Sequence, residues 1–305
     1  MMKAISVKNL SKKYGDFAAV DSISFDVETG SLLGFLGVNG AGKSTTINML
    51  STLLSPNDGE VEICGYKLGK QDMEIRNSIG IVYQSNVLDD LLTVKENLMI
   101  RSQARGLNKN QIKSRLDDLT VLLKLEPILS KKYRLLSGGQ KRRCEIALAL
   151  MHSPKILFLD EPTTGLDPAT RIDVWETVKS LRASEDMTVF LTTHYMEEAA
   201  SADKIIIIDH GRKLTEGTPF ELKERYAKDK LKLYFDERCR DTVSDRLTGE
   251  DLKPTKYGAK LSLSDSLRAY DILSKVKDHI NGFEVIQGNM DDVFLNVTGM
   301  NREAV

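Results

Sequence analysis

No stretch of this chain narrows its possible folds as sharply as Gly37-Val38-Asn39-Gly40-Ala41-Gly42-Lys43-Ser44. The string fits G-x-x-x-x-G-K-[ST]. Glycines let the backbone curl so that successive N–H groups converge on one anion. A helix starting there aims its positive end at the same point. Lys43 is then placed for the β- and γ-phosphates of a nucleotide, and the Ser44 hydroxyl for Mg²⁺. Asn39, Ala41 and Thr45 complete the loop and the helix start. A chance match occurs in roughly one or two per hundred chains of this length. Here the string follows an apolar strand, Leu32–Leu36, and precedes a helix expected over Thr45–Leu54, with Ile47, Leu50, Leu53 and Leu54 at helical spacing. That context points to a phosphate-binding loop in an α/β domain.

A second constellation supports it. Ile156-Leu157-Phe158-Leu159-Asp160-Glu161 reads as a buried strand ending in two acids. Alone, such acids would be expected merely to cap a strand where it meets solvent. Beside a phosphate loop, Asp160 fits a Mg²⁺-holding role and Glu161 a water-orienting or proton-accepting one.

The 305 residues suggest two domains. Strands expected at Ala4–Val7, Ser22–Val27, Val61–Ile63, Ser78–Tyr83, Thr188–Thr192 and Lys204–Asp209 alternate with helices, which argues for a mainly parallel sheet covered on both faces. From about Asn86 to Met151 the pattern is mainly helical, clearest over Gln111–Leu125. Thr218-Pro219-Phe220-Glu221 has the form of a capping box. The helix it opens is expected to end the first domain near Tyr226, with a boundary at Ala227–Lys230. Beyond it, a β-α-β-β-α-β order suggests a small ferredoxin-like α+β domain, with a hairpin around Gly258.

The formal net charge of −1 argues against nucleic acid as a partner. Three dispersed cysteines exclude a disulfide framework and suit a reducing cytosol. No run approaches the roughly 18 apolar residues of a membrane helix, so service at a membrane would require a partner. Cys144 falls at core spacing with Leu148 and Met151, and Lys141-Arg142-Arg143 reads as a solvated helix face.

Leu136-Ser137-Gly138-Gly139-Gln140 resembles the signature motif of ATP-binding cassette ATPases. Further elements appear in that family's order. Tyr14 resembles the adenine-stacking aromatic, Gln84 the Q-loop glutamine, Gly165-Leu166-Asp167 the D-loop, and His194 the switch histidine. Singly, each has an ordinary structural explanation: a turn aromatic, a surface glutamine, a turn acid, a hydrogen-bonded histidine. The ordered set, over about residues 3–225, carries the resemblance.

The resemblance implies a P-loop NTPase core with a RecA-like sheet. To it would be added an N-terminal antiparallel β subdomain, an inserted helical signature subdomain (about 86–151) and the C-terminal α+β domain (230–305). It implies ATP hydrolysis with Mg²⁺ held by Ser44, Gln84 and Asp160. Catalysis would rest on Glu161, His194, Gln84 and Lys43. Ser137 would cap a helix, leaving a second anion site at Gly138 and Gly139. Each ATP would then lie between one subunit's loop and the other's signature motif, with Gln140 and Asp167 beside it. One copy of each motif requires a homodimer or a heterodimer with a similar cassette.

Thr192–Ala199, Ile208–Arg212 and Asp291–Gly299 resemble bacterial exporters of the daunorubicin-resistance type. There the ATPase sits at the cytoplasmic face of the membrane on a separate permease subunit. The other class kept open is a soluble single cassette of the iron–sulfur assembly type. A GTPase is disfavoured, because Asn108-Lys109-Asn110-Gln111 lacks the base-reading Asp.

Overall fold

Alternating burial shapes the start of the chain. Along β1 (Lys3–Tyr14) and β2 (Phe17–Glu28), Ile5, Val7, Ile23, Phe25 and Val27 turn inward. The two pair antiparallel and, with β4 (Asp58–Ile63) and β5 (Tyr66–Lys67), form a sheet in the order β2-β1-β4-β5. This computed structural model describes residues 2–185 and 187–299.

The second sheet joins the apolar strands to one mostly polar edge strand, Arg212–Gly217. Its strands are β3 (Leu32–Leu36), β6 (Ile79–Val82), β7 (Ile156–Asp160), β8 (Thr188–Thr193), β9 (Lys204–Asp209) and β10 (Arg212–Gly217), ordered β10-β9-β3-β8-β7-β6. The pairings from β9 through β6 are parallel. Every residue of β3, β7 and β8 is buried, as a sheet covered on both faces requires. Phe35 and Phe190 meet with ring centroids 5.3 Å apart, and Phe25 and Phe158 extend that aromatic core. The turn from β9 to β10 is His210-Gly211, both at positive φ. Two such residues match the twist of a hairpin.

Helices fill the connections. These are α1 (Lys43–Leu50), α2 (Asp72–Ser78), α3 (Val94–Ala104), α4 (Lys109–Leu122), α5 (Gly138–Leu150), α6 (Pro168–Glu185) and α7 (Met196–Ala199). Thr93 and Asn108 open α3 and α4 with full capping boxes. The span 86–151 is helical as expected, with two 3-10 turns inside it. Helix α1 is shorter than its apolar spacing suggests: Thr52 takes φ 66 and Leu53 is exposed rather than core. Ser78 is the last residue of α2, not the first of a strand.

The chain divides into two compact units, Met1–Glu216 and Gly217–Val305. The division falls before α8 (Pro219–Tyr226), not after it. Leu222 of α8 is fully buried and that helix packs against α11 (Met290–Thr298), which places it in the second unit. The capping box is present, with Thr218 and Glu221 exchanging bonds.

In the second unit, β11 (Asp229–Tyr234), β12 (Lys253–Thr255), β13 (Gly258–Leu263) and β14 (Gly282–Ile286) pair antiparallel in the order β12-β13-β11-β14. Helices α9 (Arg240–Arg246) and α10 (Arg268–Val276) fill the crossovers. This is the β-α-β-β-α-β order. The hairpin turns at Lys256-Tyr257, and Gly258 is already strand. Its φ is 150, and a Cβ there would lie 1.9 Å from the Leu233 carbonyl, so only glycine fits. Among the described residues, no helix is long and apolar enough to cross a membrane.

Candidate functional site

The carboxyl ends of β3, β6, β7 and β8 converge, and open α/β sheets place ligands at such ends. The loop after β3 runs into α1 through Gly40 at φ 84 and Gly42 at φ 106. A Cβ on Gly42 would sit 2.5 Å from the Ala19 carbonyl, and one on Gly37 would sit 2.6 Å from that of Ile208. The loop is therefore pressed against two neighbouring elements, with no room for side chains there.

Lys43 is 5% exposed. Its Nζ donates to the carbonyls of Gly37 (2.9 Å) and Val38 (3.1 Å) and lies 3.1 Å from Oε1 of Glu161. Three side chains gather on Glu161 Oε2: Thr164 Oγ1 donates at 3.2 Å, Gln84 Nε2 donates at 3.4 Å, and His194 Nδ1 lies at 3.1 Å. Burial pushes the Glu161 carboxyl up, but the bond and charge of Lys43, with His194 and Thr164, outweigh it and hold it below the usual carboxylate range.

Asp160 and Glu161 are adjacent yet serve different partners. Glu161 has φ 46, a left-handed bend at the end of β7. Asp160 Oδ1 accepts from Thr192 Oγ1 at 2.6 Å and from Ser44 Oγ at 3.4 Å. The backbone N–H of Glu161 bonds the Thr192 carbonyl at 3.1 Å. Thr192 thus fixes both acids. Ser44 and Asp160 form a hard-oxygen pair of the kind Mg²⁺ takes when phosphates and water supply its remaining positions. Gln84 turns its amide to Glu161 rather than to that pair.

An open cleft of about 630 Å³ joins these groups. Its lining contains Tyr14, Asn39, Gly40, Gly42, Lys43, Ser44, Thr45, Gln84, Glu161 and His194, together with Phe17, Ala19 and Thr164, which the sequence did not single out. Gly37, Ala41 and Asp160 are not part of its lining. Tyr14 is half exposed and pairs across the hairpin with Phe17. Lys12 covers the Tyr14 ring at 5.6 Å.

The signature group stands apart from this cleft. Ser137 caps α5: its Oγ accepts from Gln140 N at 3.3 Å and Gln140 Oε1 accepts from Ser137 N at 3.1 Å. A Cβ on Gly138 would meet Leu166 at 2.8 Å, and one on Gly139 would meet Thr170 at 2.4 Å. The glycines thus admit the segment leading into α6. Asp167 accepts from Thr170 N at 3.0 Å at the start of α6. Those bonds to Thr170 keep its carboxyl below the ordinary range.

Behind the cleft, Arg142 is 5% exposed, not solvated, and donates to the carbonyls of Tyr83 (2.6 Å) and Gln84 (3.2 Å). Cys144 is buried, as its spacing implies.

The pattern that defines the ABC transporter family matches residues 20–164. The daunorubicin/doxorubicin resistance ATP-binding protein DrrA of Streptomyces peucetius is 36% identical over 97% of this chain and 93% of its own length. The chain belongs to the ABC transporter family. It is an ATP-binding, ATPase subunit of the exporter-like type that Thr192–Ala199, Ile208–Arg212 and Asp291–Gly299 suggest. The Nod factor export ATP-binding protein I of Cupriavidus metallidurans is also 36% identical, over 98% of both chains. Among solved structures, a dimeric post-hydrolysis cassette bound to ADP and Pi superposes with a TM-score of 0.61 at 30% identity. It covers 98% of that cassette but 70% of this ABC ATPase. These two relatives match this chain nearly end to end, which that cassette does not.

Proposed function

We propose that this chain powers a bacterial exporter, working as a head-to-tail pair of cassettes at the cytoplasmic face of the membrane and coupled to a separate membrane subunit. The observation that carries the reading is the convergence of Lys43, Gln84 and His194 on Glu161, while the Ser137 helix start lies outside the same cleft. A phosphate-binding half-site and a second anion site on one chain call for two chains. The export direction is supported by the name of the Nod factor export relative.

Within the cleft, the loop N–H groups and Lys43 bind the β- and γ-phosphates, and Tyr14 stacks on the base. Ser44 and Asp160 hold Mg²⁺, which when bound neutralises charge developing on the phosphates. The Lys43 ammonium serves either Glu161 or the phosphates. As phosphate takes it over, Glu161 is released to accept a proton from water, with His194 and Gln84 holding the carboxylate in place. The paired signature motif closes the site. Loss of the γ-phosphate removes the shared anion and the pair loosens, so differential affinity for the closed state is the source of work.

A groove of about 600 Å³ between the sheet and the helical segment is lined by Leu53, Met73, Val87 and Leu148, with Arg76, Arg101 and Arg105 around it. Among the described residues none of these arginines has a carboxylate partner, so the groove suits an apolar membrane-subunit segment carrying an acid. Light scattering of Glu161→Gln tests the pairing: the variant should dimerise with saturating ATP, and a strict monomer would sink the proposal.

A further inference from the structure

The segment after β6 carries Gln84 into the cleft, and its backbone is satisfied mainly by buried side chains of α5 and α3. Arg142 takes the carbonyls of Tyr83 and Gln84. One turn further along α5, Glu145 is 3% exposed. Its Oε1 accepts from Val87 N at 2.9 Å, Leu88 N at 3.2 Å and Tyr133 Oη at 2.8 Å. Asn97 of α3 then accepts from Asp89 N and donates to its carbonyl.

A buried carboxylate is costly unless its lone pairs are met. Here one oxygen gathers three donors from two segments. Burial and the neighbouring Glu145 charge push the Tyr133 phenol up, so it stays a donor at any ordinary pH. The bonds from α5 hold the ends of the Gln84 segment, Tyr83-Gln84 and Val87-Leu88. Both ends of that segment are thereby tied to the helix that Ser137 caps.

We propose that Glu145 is a positioning residue for Gln84, tying the segment after Gln84 to the signature helix so that the two halves of the nucleotide site respond together. It touches neither substrate nor reacting atoms. The proposal rests on Gln84 acting in hydrolysis, as inferred above. A residue that merely filled space would affect stability without acting through Gln84.

ATP hydrolysis by the full-length chain is measured for Glu145→Ala, Glu145→Gln, Gln84→Ala and the double variant Gln84→Ala/Glu145→Ala, with a melting temperature for each. Glu145→Ala should lower kcat about tenfold while KM for ATP stays within about twofold. Glu145→Gln keeps an acceptor oxygen at the same reach and should restore most of the rate. The double variant should be no slower than Gln84→Ala alone, because both changes remove one function. Unchanged kcat in Glu145→Ala beside a slow Gln84→Ala would overturn the Glu145 role alone, as would losses that multiply in the double variant. Normal turnover by Gln84→Ala would overturn the reading of Gln84 and this proposal with it. Should Glu145→Ala not fold, Tyr133→Phe removes one of the three donors. It should slow kcat about threefold at constant KM, and full kcat there would overturn the role.

Discussion

Lys43 Nζ lies 3.1 Å from Glu161 Oε1, with both side chains nearly out of solvent. A buried ion pair of this kind is maintained because each partner relieves the other's desolvation. Under the proposed function it would also make phosphate and carboxylate competitors for one ammonium.

Glu161→Gln removes the charge while keeping the size. ATP binding should persist or strengthen, because Lys43 loses its competing carboxylate. Turnover should fall by about 10²- to 10⁴-fold if Glu161 takes the proton. A steady-state phosphate-release assay beside a nucleotide-binding titration checks this, and undiminished hydrolysis would exclude Glu161 as the base.

Tyr14→Ala should act on binding. Stacking of a base on an aromatic ring contributes about 1–3 kcal/mol, so KM for ATP should rise about tenfold or more with saturated turnover nearly intact. The reverse pattern would remove the stacking role. Phe17→Ala is the control for the neighbouring ring.

Gly139→Ala tests why the signature glycines are there. The added methyl would fall 2.4 Å from Thr170 Cγ2. Overpacking of this sort costs about 1–3 kcal/mol, read as a lower melting temperature. Thr170→Ser deletes the clashing methyl and keeps the hydroxyl that bonds Asp167. The pair of changes should therefore recover stability that Gly139→Ala alone loses. No recovery would mean the clash is not the cause.

Acid should weaken the fold through His152. Burial, then the charge of Arg105, pushes its imidazole from the ordinary 6.5 down to about 4. Between those values the unfolded chain takes up a proton that the folded chain refuses. This contribution to stability is complete well above pH 6.5 and is lost as pH falls toward 4, with about 2 kcal/mol already lost at pH 5. Melting temperatures at pH 8 and pH 5 should converge in His152→Gln relative to the parent, whereas an unchanged gap would assign the acid sensitivity elsewhere.

Much of the site is legible in the sequence because it depends on short-range chemistry. The glycine turn into α1, the Ser137 cap and the Thr218 cap each need particular residue types at fixed spacing, and each forms as its spacing implies. What depended on distant packing was not legible. Thr192 holds Asp160, yet in sequence it is an ordinary β-branched residue in an apolar strand. Arg142 sits between two other basic residues, so local charge suggested water, while its partners are carbonyls 58 and 59 residues away. In sequence, the end of α8 looks like a domain end. The apolar partner that claims α8 is α11, far along the chain. Leu53 continued an apolar rhythm that the Thr52 bend had already ended.

The left-handed bend at Glu161 bears on which residues position 161 can accept. Asp and Asn are at home in that backbone region, so shortening the side chain by one carbon would leave the bend undisturbed. The acid would survive, but its reach would not: a carboxyl drawn back toward β7 no longer spans from the lysine on one wall to the histidine on the other. Length, as much as charge, decides which acid can stand there.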